Sequence, residues 1–171
     1  MSASAPVPYI APWQSDWTRY STQLVPLSKL LTGDYQVTVP DGQWWRVLFC
    51  SVAWVTTASA ATRQALFKIT RVDGYSYVIG SPTTQVASLE GFYTWAVGAN
   101  AYYTPTNAGR FYQVAPIIDI VWPQASVITA GLDGALAGDD ISGSAIVAVE
   151  VYTEADNGAL VPSITPTPLI V

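Results

Sequence analysis

Apolar and polar residues alternate with period two along much of this chain, and the alternation is most regular near its end. In Ser144 to Glu154, Ala145, Val147, Val149 and Val151 share one parity, while Ile146, Ala148, Glu150, Tyr152 and Glu154 share the other. The pattern predicts a strand with one dry and one wetter face. Gly138-Asp139-Asp140 and Gly143 lead into it, and Asp156-Asn157-Gly158 closes it. Such a strand needs earlier strands to pair with and a second sheet to cover its valines.

Those earlier strands are legible in the same way. Tyr35, Val37 and Val39 alternate with Gln36 and Thr38 before Pro40-Asp41-Gly42 turns the chain. The run Trp44 to Thr57 is apolar on both parities, which predicts a central strand, with a bulge that swaps its faces or with both faces covered. Arg63 to Val72 alternates cleanly. Asp73-Gly74 then predicts a two-residue type I′ hairpin turn into Tyr75 to Ile79. Strands are also expected at Gln85 to Leu89 and Phe92 to Val97, with Gly91 a break or a bulge. Further strands are expected at Phe111 to Val114, at Ile117 to Trp122 beyond Pro116, and at Val127 to Thr129. Gly98 to Gly109 reads as a loop. Eight to ten strands about 8–12 residues apart, with no sustained helical period, predict an all-β sandwich or barrel.

The two ends read differently. Residues 1–33 predict an extended N-terminal arm, punctuated by Pro6, Pro8, Pro12 and Pro26 and anchored by Trp13, Trp17 and Tyr20. Leu27 to Leu31 could form one helical turn inside it. Residues 34–155 form the expected sandwich domain, and residues 156–171 a Pro-rich tail ending in Leu169-Ile170-Val171. An uncharged tail of that kind is expected to be docked, because exposed apolar segments seek cover.

Composition adds a question. Half of the 171 residues are apolar and only 11% are charged, against roughly 25% in ordinary soluble proteins. No run is long and apolar enough for a transmembrane helix, and the first residues lack a signal peptide's basic and apolar regions, so a chain made in the cytoplasm with no membrane partner is expected. The alternative outlet for so few charges is surface covered by other chains, since interface cores are poor in charge and rich in Trp and Tyr. The chain has seven Trp and ten Tyr. Its net charge of −5, with seven scattered basic residues, argues against nucleic acid as a partner.

Candidate chemistry is sparse. There is no His to serve as the base of a nucleophilic triad. Most of the twelve acids lie in the arm or in turns, where Asp has a conformational reason to be. Asp119 and Glu150 could meet across a sheet as a glycosidase pair requires, although a solvated pair is the plainer reading. No metal or cofactor is implied, and Cys50 is expected to be a small buried hydrophobe. The expectation is a non-enzyme.

Val39 to Leu48 (VPDGQWWRVL), the Arg-initiated strand from Arg63 to the Asp73-Gly74 turn, and Ala130 to Glu154 together resemble small jelly-roll proteins of tailed-phage virions. The likeness covers about residues 33–154 and implies an eight-stranded antiparallel, jelly-roll-like β-sandwich in a structural virion protein, a capsid decoration (cement) subunit or a tail or fibre part; the decoration reading is taken first, with homo-oligomers, a trimer favoured, and contact with the major capsid protein. It carries over no site residues. The candidate contact residues come from the chain itself: Trp13, Trp17 and Tyr20 in the arm, Tyr102 and Tyr103 in the loop, and Leu160, Leu169 and Ile170 in the tail. The alternative reading is a tail or fibre part, or a carbohydrate-binding module that stacks sugars on a flat aromatic platform such as Trp95, Tyr102 and Tyr103.

Overall fold

The structure, a computed structural model, describes residues 19–30, 33–107, 109–143 and 145–153; of residues 19, 20 and 105–107 only the backbone is described. The described residues form strands and no helix. In chain order these are β1 (Arg19–Pro26), β2 (Ser28–Lys29), β3 (Tyr35–Thr38), β4 (Gln43–Val55), β5 (Gln64–Thr70), β6 (Ser76–Gly80) and β7 (Glu90–Val97). The rest are β8 (Tyr102–Asn107), β9 (Arg110–Ile117), β10 (Val121–Trp122), β11 (Val127–Asp133), β12 (Asp140–Ile141) and β13 (Ile146–Thr153).

Two sheets pack together as a β-sandwich. The larger follows the order β1-β13-β4-β7-β9-β8, and the smaller follows β2-β3-β11-β5-β6. Strand β4 is the spine of the larger sheet. One of its edges is served by β13 and then β12, the other by β10 and then β7. Its register with β13 shifts between Ala148 and Val149, opposite Leu48. This bulge changes which parity faces inward: Trp45 and Val47 are buried before it, and Cys50, Val52 and Trp54 after it. The double-sided apolar run is thereby explained. Between the sheets, these residues and Val147, Val149 and Val151 of β13 meet Phe67, Ile69, Ile128 and Ala130 of the smaller sheet. A buried aliphatic side chain of this kind contributes roughly 1.5–3 kcal/mol.

Several expectations need correction. The pairing is antiparallel except between β7 and β9, which run parallel because β9 inserts between β7 and β8. The 98–109 stretch is therefore half strand. Its Tyr102 to Asn107 part is the sheet's outer edge, a place that tolerates Pro105. Pro116 does not split β9, because β8 pairing starts only at Val114 and β9 has a partner on one side there. Gln85 to Leu89 is not a strand: Gln85 makes a single bridge with Arg63, and its side-chain amide is spent on the carbonyls of Trp54 and Leu89. Leu27 to Leu31 gives no helical turn where it is described, since Ser28–Lys29 pair with β3 instead. Residues 19–26 of the expected arm are extended but paired along β13.

The Asp73-Gly74 turn is also of another kind. The Arg71 N–H donates to the Tyr75 carbonyl and the Gly74 N–H to the Arg71 carbonyl, with Gly74 at φ +88°. This is a three-residue loop ending in a left-handed glycine rather than a type I′ turn. Gly91 is neither break nor bulge. A Cβ there would lie 2.4 Å from the Phe111 ring, so the glycine makes room for an aromatic in regular ladder.

Candidate interaction face

Register places the outward side chains of the larger sheet in rows. One row is Ala53, Phe92, Tyr112 and Thr104; the next is Ile146, Ser51, Thr94, Val114 and Tyr102; a third is Leu24, Ala148, Phe49, Ala96 and Pro116. None of these carries a charge. The Ser51 and Thr94 hydroxyls meet at 3.3 Å, and the Phe92 and Tyr112 rings stack 4.7 Å apart at 17°. That spacing equals the distance between neighbouring strands, so the two rings stand upright on the sheet and present edges outward. Tyr112 is 50% exposed and Tyr102 56%.

Ion pairs close the neutral area at both ends. At one end Glu90 and Arg110, adjacent across β7 and β9, bond at 2.7 Å. At the other, Arg46 makes two 2.6 Å bonds to Asp119 and one of 3.0 Å to Glu150, which also accepts the Tyr152 hydroxyl proton at 2.9 Å. An uncharged centre with a paired, polar rim is the anatomy of a protein interface. The outer side of the smaller sheet is more polar and carries a charge: its rows are Gln36, Thr129, Lys68 and Val78, and Thr38, Val127, Thr70 and Ser76.

The same geometry bears on the carboxylate pair. Asp119 and Glu150 do come together, but around Arg46, whose hydrogen bonds lower the Asp119 pKa and whose own pKa they raise. A glycosidic acid needs the opposite, a carboxyl held protonated. Glu150 is buried rather than on a wet face, because Arg46 and Tyr152 satisfy it. Both faces of β13 are dry, which corrects the expected wetter side.

At one end of the sandwich a cleft of about 310 Å³ is lined by Lys29, Asp34, Trp54, Leu136 and Asp139 among others. Its acids are mostly engaged in holding loops. Asp139 binds Arg63, and neighbouring Asp140 accepts bonds from Lys29 at 2.7 Å and Tyr35 at 2.6 Å. Burial raises the Asp34 pKa. Nothing in this lining pairs a nucleophile with a base.

Comparison with family models, with curated proteins and with solved structures finds no match.

Of the residues singled out by sequence, Tyr102 lies on the outer face beside Val114. Tyr103 has the opposite parity, pairs with Gln113 and leans on Phe111 at the core's edge, 6.2 Å between ring centres. Trp95 is buried against Phe67 and Tyr93, so it forms no platform. The backbone of Tyr20 lies in β1. Trp13, Trp17, Leu160, Leu169 and Ile170 lie outside the described residues. Phe92, Thr94 and Tyr112 were missed. The signal was present as parity within β7 and β9, but both parities carry aromatics there, Phe92 against Tyr93 and Trp95 and Tyr112 against Phe111, so the sequence does not mark the outward one.

Proposed function

We propose that this protein is a structural subunit of a tailed-phage virion, of the capsid decoration kind, that docks on other protein chains through the outer face of its larger sheet. The observation that carries this reading is the charge-free set of rows through Phe92, Thr94 and Tyr112, closed by ion pairs at each end. The low charge of the whole chain and the likeness of residues 33–154 to small virion proteins support the same reading. The upright Phe92–Tyr112 stack favours a protein partner over a sugar, since sugar stacking needs ring faces laid open. Homo-oligomers, trimers in the first instance, and contact with the major capsid protein belong to this proposal.

The experiment is mass spectrometry on particles purified from the source, together with light scattering on the isolated full chain. The chain is expected in finished particles in many copies. Its absence from particles, with abundant free protein left in the lysate, would overturn the reading.

A further inference from the structure

We propose a second contact, on the other sheet and independent of the function above: the free edge of β6 pairs antiparallel with β6 of a second copy of this chain. Sheet edges are ordinarily guarded against such pairing by shortness, by Lys, or by Pro. Of the four edges that the described residues form, three carry one of these devices. Strand β2 is two residues long and includes Lys29, β8 contains Pro105, and β1 closes on Pro26. Strand β6, Ser-Tyr-Val-Ile-Gly, has none.

The ladder shows which main-chain groups are open. Ser81 donates to the Ala65 carbonyl and Arg71 to that of Tyr75, so the odd-numbered residues of β6 bond to β5. Ser76, Val78 and Gly80 then turn their N–H and C=O away from β5. Among the described residues, the Val78 main chain has no partner on that side. Val78 is 51% exposed, and Val72 and Tyr75 at the hairpin tip are each 75% exposed.

These positions are self-complementary. A two-fold axis through Val78 sets Val78 opposite its own copy and Ser76 opposite Gly80, and the even residues exchange about six hydrogen bonds. No charge faces a like charge in β6 itself. Lys68, the neighbour of Val78 on β5, would lie three strand spacings from its copy, about 14 Å, beyond the screening length of ordinary buffers. The two smaller sheets would become one.

The register is testable by thiol cross-linking, because native Cys50 is buried and gives no background. Val78→Cys is placed about 5.5 Å from its copy and is expected to give a two-chain band with a short bis-maleimide. Ser76→Cys is placed four residues of rise from its own copy, about 13 Å, and is expected to give little. Sedimentation of Val78→Pro supplies a second readout. An outward N–H at an edge tolerates Pro, so this variant is expected to fold and to lose the association that Val78→Thr retains. Absence of the Val78→Cys band, equal bands from both cysteine variants, or a Val78→Pro mass equal to that of wild type would overturn the proposal.

Discussion

A buried ion pair is costly unless its lone pairs and protons are met, and Arg63 and Asp139, both fully enclosed, meet that condition. The guanidinium gives two bonds to the carboxylate, at 2.6 and 3.1 Å, and further ones to the Ala61 and Ser59 carbonyls. The carboxylate also accepts the N–H groups of Thr57 and Leu136, both at 2.7 Å. One pair thus ties the loop after β4 to the loop after β11. Asp139→Asn leaves Arg63 without its counter-charge and is expected to cost about 3–5 kcal/mol in urea unfolding. Burial alone would raise the Asp139 pKa, but Arg63 and the two N–H donors hold it at about 2, below the ordinary 3.8. A depressed carboxylate pKa adds stability that is complete above the unfolded value and fades as pH falls through the folded one. Wild-type stability is therefore expected to drop between about pH 4 and pH 2, and the Asn variant is expected to lack that component. Two smaller predictions belong here. Burial pushes the Cys50 thiol up to about 12, so it should resist a thiol reagent in native protein and react once the chain is unfolded in urea. Ala125 sits at φ +62°, so Ala125→Gly is expected to stabilise the fold in urea unfolding by up to about 1 kcal/mol, the relieved strain less the entropy glycine adds to the unfolded chain.

Elements show where sequence was a sufficient guide. Strands β5, β7 and β13 were legible because each has a buried parity long enough to count, and β3 by its alternation ahead of the Pro40-Asp41-Gly42 turn; β4 was legible as a run apolar on both parities, which left a bulge and two covered faces both open. What escaped depended on neighbours distant in the chain. Strand β8 reads as a loop because an edge strand needs little apolar residue, and Glu150 reads as solvated because its partner Arg46 lies on another strand. Gly91 belongs with these. Its sequence context suggests a break, whereas the ring of Phe111 occupies the space of its missing side chain. Gly91→Ala is expected to destabilise by about 1–3 kcal/mol through overpacking, and Phe111→Leu in the same chain should recover part of that loss. A thermal-denaturation double-mutant cycle measures the coupling; additive effects would mean the two positions do not compete for space.

For the whole molecule, the two sheets turn different surfaces outward. The smaller shows Gln36, Thr38, Thr70, Thr129 and Lys68 beside Val127 and Val78, and the larger shows three uncharged rows, one through Phe92 and Tyr112, one through Thr94 and one through Phe49 and Ala96. The sequence made the shortage of charge plain but not its location, because location follows from strand order. The most direct test is incorporation into particles by the chain bearing Thr94→Lys and Tyr112→Glu, with Thr38→Lys on the smaller sheet, exposed and opposite Val127, as control. All three positions face outward, so the variants are expected to fold and to melt close to wild type. The account predicts that the control enters particles as wild type does and the double variant is left behind, soluble and folded. A double variant that fills particles as well as wild type would contradict the assignment of this face to assembly.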